Sequence, residues 1–329
     1  MWKSGDLVTP ETFDSLTSHW LESRYPSMWD CIFVSPPWLE VWWHEFGFEA
    51  ELYLRAVRQG GTVIGIAPLL LRGAEASFIG STDVCDYLDF IVVPGKEVEF
   101  FNLLLDDLKE RSISRLDLRA LRPDSTVLSH LIEIARDRKY EASCKVEDIS
   151  LELDLPPTWE GYLGTLTQKQ RHEVRRKLRR FREAGDANYR VIEDSESASE
   201  SIPLFLGLFR ESRQDKARFL TPRMESFFAS LIKSMAQAGL LRLGILELHS
   251  TPVAAVICFD YHNTVFLYNN GYDPQYSLLS LGLVSKVLSI KDSIERGRGR
   301  FDFLKGDEEY KHRLGGKEVS LYGCQISLK

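Results

Sequence analysis

Residues 301–311 read Phe301-Asp302-Phe303-Leu304-Lys305-Gly306-Asp307-Glu308-Glu309-Tyr310-Lys311. Alternation puts Phe301 and Phe303 on one face of a strand and Asp302 on the other. The strand, expected over Arg300–Leu304, gives way to a loop where Asp307, Tyr310 and Lys311 gather. Those three groups suit acylation of an amine. A carboxylate takes the amine's proton, a phenol protonates the leaving group, and an ammonium polarises a carbonyl or anchors an anion. The alternative is a polar surface turn.

The segment just upstream supplies a second feature. A strand over Thr264–Asn270 runs into Asn269-Asn270-Gly271-Tyr272-Asp273-Pro274, and a helix over Ser280–Arg296 follows, ending at Gly297. Ser280 is the expected cap. A helix N-terminus offers unpaired N–H groups and partial positive charge to a pyrophosphate. Gly282 in the first turn would let a ligand approach the backbone. Asn270, Gly271, Ser280, Leu281 and Gly282 are therefore candidate donor-binding residues, unless the helix is simply an ordinary capped one.

A third feature is the helix expected over Gln168–Ala184, opened by the capping-box spacing of Thr167 and Gln170. Val174, Leu178 and Phe181 form its apolar stripe. Between Lys169 and Arg182 stand eight Lys/Arg and one Glu, a local charge of +7 in a chain of net charge -7. Like charges at i,i+4 repel by a few tenths of a kcal/mol each, so about eight of them call for compensation. The segment is either a solvated face balanced by acidic neighbours or an anion site, with Arg171 and Arg175 the candidate contacts.

Farther out, Leu240–Leu248 and Pro252–Phe259 form a hairpin, and strands are expected at Tyr189–Glu193 and Val319–Ser327. In the first half, Glu51–Arg58 and Thr62–Leu71 form a hairpin about Gly60-Gly61. Helices are expected over Phe33–Phe48, Lys96–Arg111 and Ser125–Lys139, with strands at Ala76–Gly80, Tyr87–Val93, Ser114–Leu121 and Glu147–Leu155. A helix plus loop is expected before Tyr25. The halves share a plan: hairpin, third strand, amphipathic helix, strand with a central aspartate. Ala67 and Asp117 are 50 residues apart, Ala254 and Asp302 48. Two similar α/β modules with mixed sheets follow, divided at Pro156-Pro157. In the first, Asp86, Tyr87 and Asp89 are candidate acceptor-side residues, or simply strand-ending residues.

At 329 residues, with 44% hydrophobic and 27% charged, the chain is globular. Its longest apolar run, about Val253–Phe259, is far short of the roughly 20 residues of a membrane span. The first residues carry no apolar signal region, and a cytoplasmic location is expected. Five scattered cysteines without CxxC spacing suggest reduced thiols and argue against a disulfide frame or a zinc site. No GxxxxGK[ST], GxSxG, HExxH or GxGxxG motif is present, and the seven histidines have no metal spacing, so no metal is expected.

Together, Lys169–Arg180, Tyr268–Pro274 leading into Ser280-Leu281-Gly282, and Phe301-Asp302-Phe303 with Gly306-Asp307-Glu308-Glu309-Tyr310-Lys311 resemble GNAT-superfamily acetyltransferases of the cellulose-biosynthesis-associated (CelD-like) branch. That branch is related to the FemABX peptidyltransferases. Ile66-Ala67-Pro68-Leu69 and Asp86–Phe90 match the first half of such proteins.

The resemblance implies an α/β (α+β) fold of two tandem GNAT-like modules, each a mixed, mostly antiparallel sheet flanked by helices. Residues 1–155 would be the acceptor-side module, and 156–329 the donor-binding, catalytic one. It implies acyl transfer to an amine or hydroxyl of a small molecule or an envelope or polysaccharide precursor, with acetyl-CoA or another acyl-CoA as co-substrate. The usual pyrophosphate loop, Gln/Arg-x-x-Gly-x-Gly/Ala, is absent, and only Ser280-Leu281-Gly282 stands in its place. Aminoacyl-tRNA, the FemABX donor, is the alternative. A non-catalytic RNA- or partner-binding protein on the same scaffold is a third. The roles implied are Asp307 as base, Tyr310 as acid, and Lys311, Arg171 and Arg175 as anion contacts.

Overall fold

The structure is a computed structural model that describes residues 7–23 and 25–329. The chain forms two compact units: Met1–Asp148 with Val319–Lys329, and Ile149–Glu318. The first holds β1 (Leu7–Pro10), α1 (Phe13–Leu21), α2 (Pro36–Phe46), β2 (Glu51–Gln59), β3 (Thr62–Arg72), β4 (Glu75–Phe78), β5 (Ile91–Val92), α3 (Glu97–Glu110), β6 (Arg115–Leu121), α4 (Ile132–Asp137) and the start of β7 (Glu141–Asp154). The helix expected before Tyr25 is α1, with a strand ahead of it; residues 1–6 of that stretch lie outside the described residues.

The second unit holds α5 (Trp159–Thr165), α6 (Gln168–Glu183), β8 (Ala187–Ile192), α7 (Ser195–Glu200), α8 (Ile202–Ser212), α9 (Gln214–Phe219), α10 (Pro222–Gln237), β9 (Leu241–Leu248), β10 (Thr251–Tyr261), β11 (Thr264–Tyr272), α11 (Leu281–Glu295), β12 (Arg300–Lys305) and α12 (Glu309–Arg313). Strand β13 (Lys317–Ser327) returns the chain to the first unit.

The strands of the two units repeat one plan. The first runs β1-β2-β3-β4-β6-β13, and the second β8-β9-β10-β11-β12-β7. In each, an antiparallel hairpin leads to a parallel pair. Glu75–Ser77 of β4 pair with Arg115–Asp117 of β6, and Thr264–Phe266 of β11 with Arg300–Asp302 of β12. An antiparallel strand follows in each, and the chain exchanges these two strands. Strand β7 pairs with β12 of the second unit, and β13 with β6 of the first. This exchange is why the units divide at Asp148/Ile149 and the last strand joins the first unit, whereas the proline pair suggested a break at 155/156 and gave that strand to the second module.

The early part of β7 lies in the first unit beside β13, and Cys144 and Cys324 form a disulfide there. This corrects the expectation of reduced thiols throughout. Two cysteines 180 residues apart carry no spacing signal, and only strand pairing brings them together. Cys31, Cys85 and Cys258 are free.

Helix α6 keeps its expected cap: Thr167 Oγ1 accepts from the Gln170 N–H, and Gln170 Oε1 from the Thr167 N–H at 2.9 Å. Such a box stabilises a helix by about 1 kcal/mol. Val174, Leu178 and Phe181 enter a core with Val256, Val284, Ile290 and Phe301. In the first unit the expected strand Tyr87–Val93 shortens to Ile91–Val92, because the residues before it turn inward.

Candidate active site

A parallel ladder of three residue pairs cannot hold two longer strands together along their length. Beyond Phe266 and Asp302, β11 runs on to Tyr272 and β12 to Lys305 without pairing to each other. In the first unit the corresponding end, after Ser77 and Asp117, is filled by the chain itself. The Leu88 N–H donates to Ala120 O on β6, and the Leu88 side chain lies 2.9 Å from where a Cβ on Gly80 would stand. The Phe90 ring packs 4.9 Å from Phe78 and 5.3 Å from Phe101. In the second unit polar side chains occupy the equivalent end.

Those side chains form one chain of contacts from β12 to β11. Tyr310, on α12, packs its ring edge-on to Phe303 at 6.4 Å. Lys286 Nζ, from α11, lies 4.5 Å from the centre of the Tyr310 ring and donates to Gly282 O at 2.8 Å. Asn270 Nδ2 is 3.4 Å from where a Cβ on Gly282 would stand. Lys216, from α9, donates to Asn270 O and has Asn270 Oδ1 at 3.4 Å, with its Nζ 4.7 Å from the Phe209 ring centre. Lys286 thus bridges the Tyr310 ring and the first turn of α11.

Burial sets the proton affinities here. Lys286 is pushed down to about 7, first by burial, then by Lys216. Lys216 falls to about 8, first by burial, then by Arg213. The Tyr310 phenol is raised by burial, with Glu308 adding to it, so it stays protonated at neutral pH.

Lys311 is 1% exposed, and its Nζ donates to Leu304 O, Lys305 O and Gly306 O at 2.9, 2.6 and 3.0 Å. Glu308 pairs with it at 2.8 Å. With its donors committed, Lys311 pins the turn after β12 and is not an anion contact. That turn needs pinning, because Leu304 has a φ of 62°. Asp307 is exposed and pairs with His312 Nε2 at 2.6 Å. Glu318 brings a third ligand atom to that pair, all within 4.8 Å.

The donor-side residues divide. Ser280 has φ 56° and ψ 45°, and its side chain makes no capping bond; instead Oγ accepts from Lys177 of α6. A left-handed serine costs about 1 kcal/mol. Its geometry leaves the start of α11 without a side-chain cap, with an ammonium beside it. Leu281 is core. Gly271 serves packing, since a Cβ there would fall 2.3 Å from Phe209 N on α8. The space over Gly282 belongs to the Tyr272 ring, 2.8 Å from a Cβ there, not to a ligand meeting bare backbone.

Of the basic-helix candidates, Arg171 Nη2 donates to Leu166 O at 3.1 Å, and Arg175 pairs with Glu160 at 2.9 Å with both exposed. Lys169, Arg180 and Arg182 have no carboxylate within 4.0 Å among the described residues. In the first unit, Asp89 accepts from Thr126 N at 2.7 Å and Thr126 Oγ1 at 2.7 Å. Burial still raises it to about 6. Tyr87 is 3% exposed and packs on Phe33. Both serve that unit's core; Asp86 is half-buried. A groove lined by Ser114, Arg115, Glu141 and Gln325 gathers no catalytic grouping.

Lys216 and Lys286 have no counterpart among the sequence candidates. The one available signal was a lysine inside the apolar run Leu281–Ile290.

The diverging parallel strands, the uncapped helix between them and the phenol beside its first turn define the class: a mixed α/β fold of the GNAT acyltransferase type. Residues 168–312 match the family model for the acetyltransferase (GNAT) domain. Among solved structures, the chain is similar to one described as FemX, at TM-score 0.65 and 11% identity, covering 96% of each chain. It is similar to L-PGS from Bacillus licheniformis at TM-score 0.55 and 11% identity, covering 88% of this chain and 90% of that one. It is also similar to a tandem GNAT protein from the clavulanic acid biosynthesis pathway, at TM-score 0.50 and 12% identity, covering 97% and 98%. No curated protein matches the sequence. Among the described residues no helix is long and apolar enough to cross a membrane.

Proposed function

We propose that the chain is a cytoplasmic acyltransferase that moves an acyl group, acetyl first among them, from acyl-CoA to an amine or hydroxyl of a small molecule or envelope precursor. The resemblance to the CelD-like branch belongs to this reading. One observation carries it: the polar end of the β11/β12 pair meets the uncapped start of α11, where Lys177 and Ser280 supply an anion-binding corner. The second unit is the donor-binding, catalytic half, because the first unit's equivalent end is filled by Leu88 and Phe90.

In the reaction, the acceptor nitrogen or oxygen attacks the thioester carbonyl and the C–S bond breaks. The nucleophile's proton leaves through water to Asp307, which His312 holds. The departing thiolate takes a proton from Tyr310, which solvent then restores. Lys311 positions this loop through its three carbonyl contacts.

A second donor, aminoacyl-tRNA, is favoured by the unpaired Lys169, Arg180 and Arg182 on α6. Thermal-shift titration with CoA, acetyl-CoA and longer acyl-CoAs, beside tRNA binding across a salt series, separates the two. A shift with CoA supports the main reading. Steeply salt-dependent tRNA binding without a CoA shift supports the second. Binding of RNA or a partner with no transfer to any acceptor makes the chain a binding protein.

A further inference from the structure

The proposed proton transfers use neither Lys216 nor Lys286, although both stand at the centre of the site. Each ammonium has three N–H donors. Lys286 donates to Gly282 O, and Lys216 to Asn270 O and Oδ1, so each ammonium keeps at least one N–H to spare. Neither has a carboxylate within 4.0 Å among the described residues. The nearby carboxylate of Glu308 is already held by Lys311. Asn270 is 8% exposed, and its Nδ2 is buried without an acceptor. Buried unpaired cations and a buried unsatisfied amide each destabilise a fold. Three such groups meet in one corner, and the two ammonium groups and the amide N–H leave it rich in spare donors.

We infer that Lys216, Lys286 and Asn270 form a receptor for a carboxylate carried by the molecule this site acts on. A carboxylate is acceptor-only and planar, and one of them can satisfy an amide N–H and two ammonium groups together. An alcohol or amide ligand lacks the negative charge and the second acceptor oxygen that two ammonium groups can share. The Phe209 and Tyr310 rings under the two ammonium groups favour their charged forms and narrow the corner. A tetrahedral phosphate fits better at Ser280 and Lys177, where the N-terminus of α11 lacks a side-chain cap. The receptor's place in catalysis rests on the acyl-transfer reading; its binding chemistry does not.

The test is saturation-transfer NMR on the full chain with acetate, succinate, acetamide and inorganic phosphate as probes. The carboxylates are expected to bind and acetamide not. Lys216→Met and Lys286→Met should each weaken carboxylate binding at least tenfold, while Lys233→Ala, at an exposed lysine of α10, leaves it unchanged. Circular dichroism confirms folding, and Asn270→Asp, which keeps the shape and adds a negative charge, should abolish binding if the lysine variants fail to fold. Equal binding of acetamide, tighter binding of phosphate, or variants that bind as the parent does would overturn the inference.

Turnover locates the carboxylate. Amidation of an acceptor's carboxylate raises KM if the acceptor carries it, and amidation of an acyl-chain carboxylate does so if the donor carries it. A chain that binds succinate but transfers nothing overturns the acyl-transfer reading alone. A chain that transfers but binds no carboxylate overturns this inference alone.

Discussion

Lys177 Nζ of the basic helix donates to Ser280 Oγ at the start of α11. The contact brings one of the eight clustered cations of α6 to a helix N-terminus whose side-chain cap is missing. An anion there gains the positive end of the helix dipole and an ammonium. Lys177→Met is expected to weaken CoA binding roughly fivefold to thirtyfold, as a charge-assisted contact of about 1–2 kcal/mol requires. Titration calorimetry at two salt concentrations measures it. Unchanged affinity would remove Lys177 from the donor site.

Tyr310 is held by ring contacts with Phe303 and Lys286, so its hydroxyl can be removed without unpacking it. Tyr310→Phe should lower kcat by about 10²-fold or more, with KM for the donor nearly constant. Steady-state kinetics with a CoA-release readout measure both. A fall in KM-linked terms alone would make Tyr310 a binding residue and return the leaving-group proton to solvent.

Local features of the fold were legible because their causes are local. The Thr167/Gln170 box, the Gly60-Gly61 hairpin and the alternation in Phe301–Phe303 need only neighbours in sequence. Two short helices of the site were not. Helix α9 carries Lys216 and α12 carries Tyr310; at six and five residues neither is long enough to show a hydrophobic period. Lys311 read as reactive because sequence shows a charge and not the three carbonyls that absorb its protons. The exchange of β7 and β13 is a long-range pairing with no local trace.

The Cys144–Cys324 bond closes a loop of 180 residues that encloses the whole of the second unit. Loop-closure entropy gives such a cross-link up to about 5 kcal/mol. Cys144 is exposed and Cys324 buried, so Cys144→Ser is the gentler change. It should lower Tm by several degrees without reductant, and the gap should close when both proteins are reduced. A reducing cytoplasm would keep the bond open, so intact mass under native conditions also tests the proposed location. Quantitative alkylation of Cys144 in unreduced protein would show that no bond forms.

Lys286 gives stability a pH dependence whose sign is fixed by its burial. Unfolded, a lysine holds its proton up to about 10.5; folded, this one releases it at about 7. Between those values the unfolded chain binds more protons, so the lysine's penalty is full below pH 7 and fades as pH rises toward 10.5. Lys286→Met removes the charge and keeps the length. It is expected to raise unfolding free energy by a few kcal/mol near pH 6.5. The gain should shrink steadily through pH 8 and 9.5. Urea unfolding at the three pH values supplies the comparison. The Tyr310 ring opposes the effect, because a cation over an aromatic face is worth about 0.5–2 kcal/mol and favours the charged lysine. A gain that does not vary with pH would mean the lysine titrates as it does in water, and that its burial is relieved by solvent reaching the site.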